Sequence, residues 1–453
     1  MLRRTFSIAA LVIATASAAQ SQNIADQYRA TADKILAAAL SDSAAWNRIS
    51  ELTEKYGNRF SGSQSLEQAI DWVLAKMKAD GLDNVRGEPV MVPHWVRGAE
   101  SAEMVTPRKQ NLPMLGLGGS IATPPAGITA QVLVVTSFDD LKAKAAQAKG
   151  KIVLFNVPFT NYGQTVVYRR DGAVAAAKVG AVASIIRSVT PYSQRTPHTG
   201  GMAYDSTVKK IAHAAITPED ADMIDRLIKR GEKVTVRLKM SAQMLPDAPS
   251  RNVVGELRGR ETPDEVVVMG GHIDSWDVGR GAMDDAGGVV AAWEALRILK
   301  KLNLQPRRTI RVVGWTNEEN GTRGGNGYRD AHKAEADKHV LAMESDDGVF
   351  KPLGFGFTGS DAAMGIMQQI GSLTAKFGAG TITKDGGGAD IGPIMALGVP
   401  GVGLTTFGEK YFWYHHTEAD TVDKLDPVEV AQCAALMAIV AYIVADMPQR
   451  LPR

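Results

Sequence analysis

The sequence has almost no cysteine and no excess of charge of either sign. Cys433 is the single cysteine in 453 residues, so the chain cannot form an internal disulfide. Lysine and arginine number 51 against 49 acidic residues, which excludes the strongly basic surface that binds nucleic acid or anionic membranes. A hydrophobic fraction of 45% with 22% charged residues is typical of a folded globular chain and argues against disorder. A chain of this length is expected to form more than one compact unit.

Long apolar runs are scarce as well, and the first lies at the N-terminus. Arg3 and Arg4 precede an apolar stretch at residues 7–14 and the small residues 16–18. This pattern predicts a signal peptide over residues 1–19 and export of the mature chain to the periplasm or the medium. The pair of arginines leaves the route open between general secretion and twin-arginine export.

The second apolar run, at residues 430–445, predicts a buried C-terminal helix. It contains Gln432, follows a helix start at Asp426-Pro427 and falls short of the roughly 20 residues that a membrane span needs. The sequence therefore predicts no membrane span in the mature chain.

The two ends of the mature chain predict one α/β domain, assigned to residues 23–103 and 246–453. Residues 24–78 have the apolar spacing of two helices, and residues 85–96 alternate like a strand. From residue 252 onward strands and helices alternate, which predicts a mixed, mostly parallel sheet flanked by helices. The strand-like runs are at residues 266–269, 310–315, 340–343 and 399–404, with a helix at 289–302.

Residues 104–245 predict a smaller α/β unit inserted into that domain. They combine short strands with Gly- and Pro-rich loops, and residues 240–249 are expected to form the link back to the first domain. His198 and His213 stand alone in this unit and are predicted to be loop or surface residues, with no metal-binding constellation around them.

Side chains that bind metals follow the predicted strands of the main domain. His272 comes after a strand and two glycines, and Asp274 is placed to reach its second ring nitrogen, as carboxylates often do for metal-binding histidines. Asp284 precedes the helix at 289–302 and is interpreted as a carboxylate that bridges two metal ions rather than as a helix cap alone. Because ligands of such sheets collect beyond the carboxyl ends of the strands, these side chains are expected to meet in one cleft.

The adjacent acids Glu318 and Glu319 are the most telling local signal. They end a strand, and their side chains diverge, so that one can bind metal while the other meets a water molecule. Glu319 is predicted to be a metal ligand and Glu318 the general base.

Two further pairs of adjacent residues contain candidate metal ligands. One strand ends near Asp346 and Asp347, and the last predicted strand is followed by His415 and His416. The residues alone do not decide which member of each pair binds metal.

The motifs are GHIDSWDVG at 271–279, GAMDD at 281–285, WT at 315–316, EE at 318–319, MESD at 343–346 and HH at 415–416, with further stretches at 114–118, 123–125 and 196–200. With them the chain resembles the co-catalytic zinc exopeptidase family of the aminopeptidase type over nearly its whole mature length. The resemblance implies a zinc exopeptidase fold with an inserted protease-associated-like domain, a homodimer, and peptide substrates with free termini, notably dipeptides.

The resemblance also implies the ligand set. It favours Asp346 over Asp347 and His416 over His415, and it implies two Zn²⁺ ions per chain. The hypothesis places His272, Asp284 and Asp346 on one ion, Glu319, Asp284 and His416 on the other, and Glu318 as the base.

The substrate pocket is less determined, because the chain departs from the family pattern around Asn317 and in the glycine-rich segment 386–390. Asp390, Tyr414 and His415 are candidate substrate-binding residues. The alternatives are an aminopeptidase of longer peptides, a one-zinc glutaminyl cyclase, and a binding ectodomain without an intact site.

Overall fold

A computed structural model of the protein describes residues 23–453, so the predicted signal peptide lies outside the described residues. The strands are β1 (Asp83–Val96), β2 (Glu100–Thr106), β3 (Gln110–Leu112), β4 (Met114–Gly116), β5 (Ile128–Val135), β6 (Ile152–Phe155), β7 (Ala183–Arg187), β8 (Ala212–Ile216), β9 (Thr235–Met240), β10 (Gln243–Leu257), β11 (Thr262–His272), β12 (Arg308–Trp315), β13 (His339–Glu344), β14 (Pro352–Thr358), β15 (Thr381–Lys384) and β16 (Gly401–Thr406).

The helices connect these strands and cover the sheets. They are α1 (Ile24–Leu40), α2 (Ala44–Tyr56), α3 (Gln64–Ala79), α4 (Phe138–Ala143), α5 (Ala145–Ala148), α6 (Tyr162–Lys178), α7 (Pro218–Lys229), α8 (Gly287–Lys301), α9 (Arg323–His332), α10 (Asp361–Ser372), α11 (Gly392–Met395), α12 (Tyr411–Tyr414) and α13 (Pro427–Asp446).

The first sheet has eight strands in the order β1-β10-β12-β11-β13-β16-β14-β15. Its centre, β12-β11-β13-β16, is parallel, and β14 is parallel to β15, whereas the pairs β1-β10, β10-β12 and β14-β16 are antiparallel. Every residue of β12 and β13 is buried, as expected for strands covered by helices on both faces. The mixed, mostly parallel α/β sheet predicted from the sequence is confirmed.

The second sheet, in the order β3-β2-β9-β5-β6-β7-β8-β4, is formed by the chain between β1 and β10. Helix α7 packs Ala221 and Ile224 into the core on one face, and α6 packs Ala173 and Ala176 into the core on the other. A separate apolar core on each face is what an inserted unit needs to hold its own shape. The strands of this sheet run from Glu100 to Met240, and the exact domain boundaries stay a prediction.

Helix α13 lies in the core of the first domain. Asp426 caps it by accepting hydrogen bonds from the backbone N–H groups of Val428 and Glu429. At 20 residues the helix is long and apolar enough to cross a membrane by length and composition alone, so the expectation that the segment falls short was wrong. However, 83% of its apolar window is buried inside the protein, as expected of a core helix.

Two other local predictions were wrong. Residues 24–78 form three helices rather than two, because a short turn at residues 41–43 separates α1 from α2. Residues 243–249, expected to be a link, are the first half of the long strand β10, which pairs with β1. Most of that half is exposed, so it lacks the alternation by which a strand is recognised.

Candidate metal centre

The first group of candidate ligands surrounds His272, the last residue of β11. Its Nε2 atom lies 3.1 Å from Oδ1 of Asp284 and 3.2 Å from Oδ1 of Asp346. Asp284 is in the turn before α8, and Asp346 follows β13, the parallel neighbour of β11. Neighbouring strand ends thus bring these three side chains together, and ligand atoms of all three are close enough to hold one metal ion.

The second group surrounds His416, which follows α12. Its Nε2 atom lies 3.0 Å from Oε2 of Glu319 and 3.3 Å from Oδ2 of Asp284. His415 stacks on His416 with ring centroids 3.4 Å apart, and its own Nε2 lies 3.8 Å from Oδ2 of Asp284. Asp284 therefore presents one carboxylate oxygen to each group.

The donor set suits a divalent cation. Oδ2 of Asp284 and Oε1 of Glu319 are buried and have no hydrogen-bond partner among the described residues. Burial and then Asp284 raise the pKa of the Glu319 carboxyl well above its usual range. Burial lowers the pKa of His272, but the carboxylates of Asp346, Asp274 and Asp284 outweigh it and raise that pKa well above its usual value. Such crowded acids release their protons when a divalent cation binds, and the residues present fit zinc, which prefers imidazole and carboxylate ligands.

Glu318 lies beside both groups in the wall of a cavity of about 280 Å³. Burial and then the nearby Asp346 carboxylate raise the pKa of Glu318 to about 8. A carboxylate with a pKa near neutrality is matched to proton transfer in both directions, which suits a general base that later acts as an acid.

The loop that carries the paired glutamates is held by Asp274. Its carboxylate accepts hydrogen bonds from the backbone N–H groups of Glu318, at 3.0 Å, and Glu319, at 3.4 Å. The Nδ1 atom of His272 instead lies 2.9 Å from the backbone carbonyl oxygen of Asp274 and 3.6 Å from its carboxylate. Asp274 therefore contacts the ring mainly through its carbonyl group, whereas the sequence predicted its carboxylate.

The turn that carries Asp284 is supported from two sides. The Asp420 carboxylate accepts hydrogen bonds from the backbone N–H groups of Ala282, Met283 and Asp284 at 2.7–3.2 Å. Buried Arg59 donates to the carbonyl oxygens of Arg280 and Gly281 just before this turn. Neither supporting residue was singled out from the sequence, because each is far along the chain from Asp284 and belongs to no local motif.

The cavity is lined by Tyr162, Arg169, Asp284, Glu318, Glu319, Asp346, Asp347, Tyr411, Phe412, His415 and His416. Of the candidate pocket residues, only His415 is in this wall. Tyr414 packs its ring near the Lys424 ammonium and the core of the first domain. Asp390 is 1% exposed, and its backbone N–H donates to the Glu344 carboxylate.

The inserted unit contributes Tyr162 and Arg169, which the sequence did not indicate. Its backbone reaches the loop of the candidate ligand His416 directly, since the Thr199 N–H donates to the His416 carbonyl oxygen at 3.0 Å. His198 and His213, predicted to be loop or surface residues, are 2% and 0% exposed; His198 is in a loop but buried, and His213 is in the buried strand β8. The ring of His198 hydrogen-bonds the His415 carbonyl oxygen at 2.8 Å, so this histidine supports the same loop.

Comparisons with known proteins extend over nearly the whole chain. Peptidase family M28 matches residues 252–441. Carboxypeptidase Q from Xenopus laevis is 50% identical over 408 residues, which cover 90% of this chain and 87% of that protein. A crystal structure of a peptidase M28 precursor from Shewanella amazonensis gives a TM-score of 0.91 at 37% identity, covering 95% of this chain and 99% of that chain. A zinc aminopeptidase from Bacillus subtilis shares the fold, with a TM-score of 0.67 at 20% identity over 90% of this chain and 96% of that chain.

The sheet, the strand-end cluster and these similarities together define a metallo-exopeptidase, the class predicted from the sequence. The chain belongs to peptidase family M28, and it is similar over most of its length to carboxypeptidase Q.

Proposed function

We propose that the protein is a two-zinc exopeptidase that hydrolyses dipeptides or short peptides with free termini. The single observation that carries the zinc count is the placement of Asp284, whose two carboxylate oxygens face two different histidines, His272 and His416. The similarity to carboxypeptidase Q favours this activity over an aminopeptidase of longer peptides.

Three side chains are proposed for each ion. His272, Asp284 and Asp346 would hold one, and Glu319, Asp284 and His416 the other. When bound, zinc supplies Lewis acidity, which polarises the peptide carbonyl and lowers the pKa of a water molecule. Asp274 holds the loop in which Glu318 faces the cavity and Glu319 faces His416.

Glu318 is proposed as the general base. It takes a proton from the attacking water and passes it to the amine that leaves when the peptide C–N bond breaks. The cavity wall of Tyr162, Tyr411 and Phe412 restricts water around the reacting groups, which strengthens their electrostatic interactions.

Glu318→Gln tests the role of the base. The amide has nearly the shape of the carboxylate but cannot accept the proton, so zinc content should stay near that of the wild type while kcat falls by about 100-fold or more. Glu409→Gln, in the exposed segment after β16, is the matched control and should leave kcat unchanged. Metal analysis and kinetics of the purified, zinc-loaded variants provide both numbers, and a near-normal rate for Glu318→Gln would refute the assignment.

The zinc count and the substrate class are tested separately. A ratio near one zinc per chain after loading would contradict the two-ion centre. Equal hydrolysis of free dipeptides and longer peptides with blocked C-termini would favour the aminopeptidase alternative.

Export and assembly are proposed on other grounds. The pattern in residues 1–19 supports export with removal of this segment, and N-terminal sequencing of the mature protein tests it. The resemblance to the exopeptidase family supports a homodimer, which light scattering tests directly.

A further inference from the structure

Each histidine proposed to bind zinc has a backbone carbonyl group at its second ring nitrogen. For His272 that group belongs to Asp274, two residues along the chain in the same domain, with Nδ1 and the oxygen 2.9 Å apart. For His416 it belongs to Thr199 of the inserted unit, 217 positions away, with Nδ1 and the oxygen 3.3 Å apart. One histidine is thus supported within the main domain and the other from the inserted unit.

The chemistry of the His416 ring identifies Thr199 as a hydrogen-bond acceptor. Nε2 faces the carboxylates of Glu319 and Asp284, so when Nε2 binds a cation the ring proton is on Nδ1. The other group near Nδ1 is the Arg169 guanidinium, at 3.5 Å, and a guanidinium has no acceptor atom. The Nδ1–H group therefore donates to the Thr199 carbonyl oxygen, and this bond fixes the tautomer and the orientation of the ring.

The backbone at His416 is held by the same segment of the inserted unit, residues 198–200. The ring of His198 bonds the His415 carbonyl oxygen at 2.8 Å. The Thr199 N–H donates to the His416 carbonyl oxygen at 3.0 Å. His416 has a φ of +61°, in the left-handed region that residues with a side chain seldom adopt. Such a conformation persists where its surroundings hold it, and here two consecutive carbonyl groups are held from the inserted unit.

His198 makes its contact as a neutral ring. It is 2% exposed, and burial lowers the pKa of His198 to about 3. A neutral imidazole has one N–H group, and the carbonyl partner requires that group at Nδ1. Nε2 of His198 has no hydrogen-bond partner among residues 23–453, so the ring's hydrogen bond within that range goes to the loop of the candidate ligand.

This segment is anchored in turn to the second sheet. Thr199 is fully buried, and its hydroxyl donates to the Gly116 carbonyl oxygen of β4 at 2.8 Å. The Gly200 carbonyl oxygen accepts a hydrogen bond from the Gly118 N–H at 3.0 Å. The support for His416 is therefore part of the fold of the inserted unit.

We propose, building on the two-zinc function above, that His198 and Thr199 are positioning residues for His416 and that the inserted unit thereby sets the zinc affinity of one of the two positions. That position is the one at His416 and Glu319. The position at His272 is supported within the main domain and does not depend on these contacts. The partners of a metal-binding histidine contribute about 10- to 100-fold to metal affinity, so the effect is large enough to measure.

The test measures zinc affinity by competition with a chelating indicator, in variants that keep one intact position. Asp346→Asn removes a ligand from the position at His272 alone, and Glu319→Gln removes one from the position at His416 alone. Added to Asp346→Asn, His198→Leu should weaken binding of the remaining zinc about 10-fold, because a buried carbonyl group beside the ligand loses its donor. Added to Glu319→Gln, it should change the remaining affinity less than about twofold.

Two further substitutions separate positioning from a general loss of stability. His198→Asn places an amide N–H where Nδ1 was and should restore most of the affinity that His198→Leu loses. His339→Leu removes another buried histidine that bonds a backbone carbonyl oxygen, that of Glu335 at 3.0 Å, at the opposite end of β13 from Asp346. This control should lower the thermal midpoint and leave both zinc affinities unchanged.

The possible outcomes separate this proposal from the two-zinc function. No weakening in the Asp346→Asn background, equal weakening in both backgrounds, or no rescue by His198→Asn would overturn the positioning role while leaving the two-zinc peptidase intact. A wild type that binds one zinc per chain would instead refute the two-ion centre. The contact would then stand only if His198→Leu weakens binding of that single ion, and an unchanged affinity would overturn it.

If the His198 variants do not fold, hydrogen exchange of the wild type decides. Two coupled binding events strengthen each other by the same factor, so zinc loading should slow exchange in residues 198–200 about 10-fold. Exchange in β7, which belongs to the same unit but lies outside this segment, should change less than about twofold. Mass spectrometry of the exchanged peptides provides both values, and equal exchange of residues 198–200 with and without zinc would overturn the proposal.

Discussion

The acid sensitivity of the inserted unit should depend on His213. This histidine lies on β8, is fully buried, and hydrogen-bonds through Nε2 to the Arg169 carbonyl oxygen at 3.2 Å. Burial lowers the pKa of His213 to about 4. In the unfolded chain the same ring has a pKa of about 6.5.

The sign of the effect follows from proton binding. Between these two pKa values the unfolded state binds more protons than the folded state, so stability is fully present above pH 6.5 and is lost as the pH falls through the window. Proton-binding equilibria with these values give a loss of about 2 kcal/mol between pH 7.5 and pH 5. For a unit of this size that is a fall in the thermal midpoint of about 4 to 8 °C.

His213→Gln should remove this loss, because the amide can donate to the same carbonyl oxygen and does not titrate. The measurement is the thermal midpoint of zinc-loaded wild type and variant at pH 7.5 and pH 5. His339, on β13 of the other sheet, also has its pKa lowered by burial to about 4, so His339→Gln should give a separate and additive effect. Identical pH dependence in wild type and His213→Gln would show that His213 is not buried as a neutral ring.

Two other predictions concern the candidate metal centre and the contact between the main domain and the inserted unit. Removing zinc with a chelator should lower the thermal midpoint more at pH 9 than at pH 6. Burial raises the pKa of Glu318 to about 8, and an acid with a raised pKa in the folded state loses its contribution to stability as the pH rises. An equal loss at both pH values would contradict this prediction. Arg97→Gln should lower kcat/KM about 10-fold or more. The Arg97 guanidinium donates hydrogen bonds to Asp277 of the main domain at 2.8 Å and to Thr199 of the inserted unit at 3.2 Å. Kinetics of the zinc-loaded variant, with zinc content unchanged, tests this prediction.

The central sheet and the candidate ligands could be predicted because their signals are local. The strands β11 and β13 contain the apolar runs 266–269 and 340–343, and β12 contains the strand-like run 310–315. Each strand is followed within a few residues by a polar side chain that the sheet brings to one edge. The neighbouring sequence does not indicate whether Asp346 or Asp347 is the candidate metal ligand. Strand-end geometry places both in the cavity wall, and only Asp346 lies at 3.2 Å from His272.

Elements at the surface and single buried polar residues could not be predicted. The exposed half of β10 has no apolar alternation, and the turn at residues 41–43 is too short to interrupt the alanine-rich helical spacing around it. His213 is one polar residue in a fully buried strand of sequence AHAAI, where burial depends on the second sheet as a whole. The residues next to a single histidine in the sequence do not indicate whether it is buried in this way.

The composition of the cavity wall could not be predicted from the sequence either. Arg169 and His416 lie 247 positions apart in the sequence and meet only because the second sheet folds over the strand ends of the first. The groups proposed for bond breaking all belong to the first domain, whereas Tyr162 and Arg169 of the inserted unit line the same cavity. Substitutions at Tyr162 or Arg169 can therefore change the shape and charge of the cavity without replacing a proposed metal ligand.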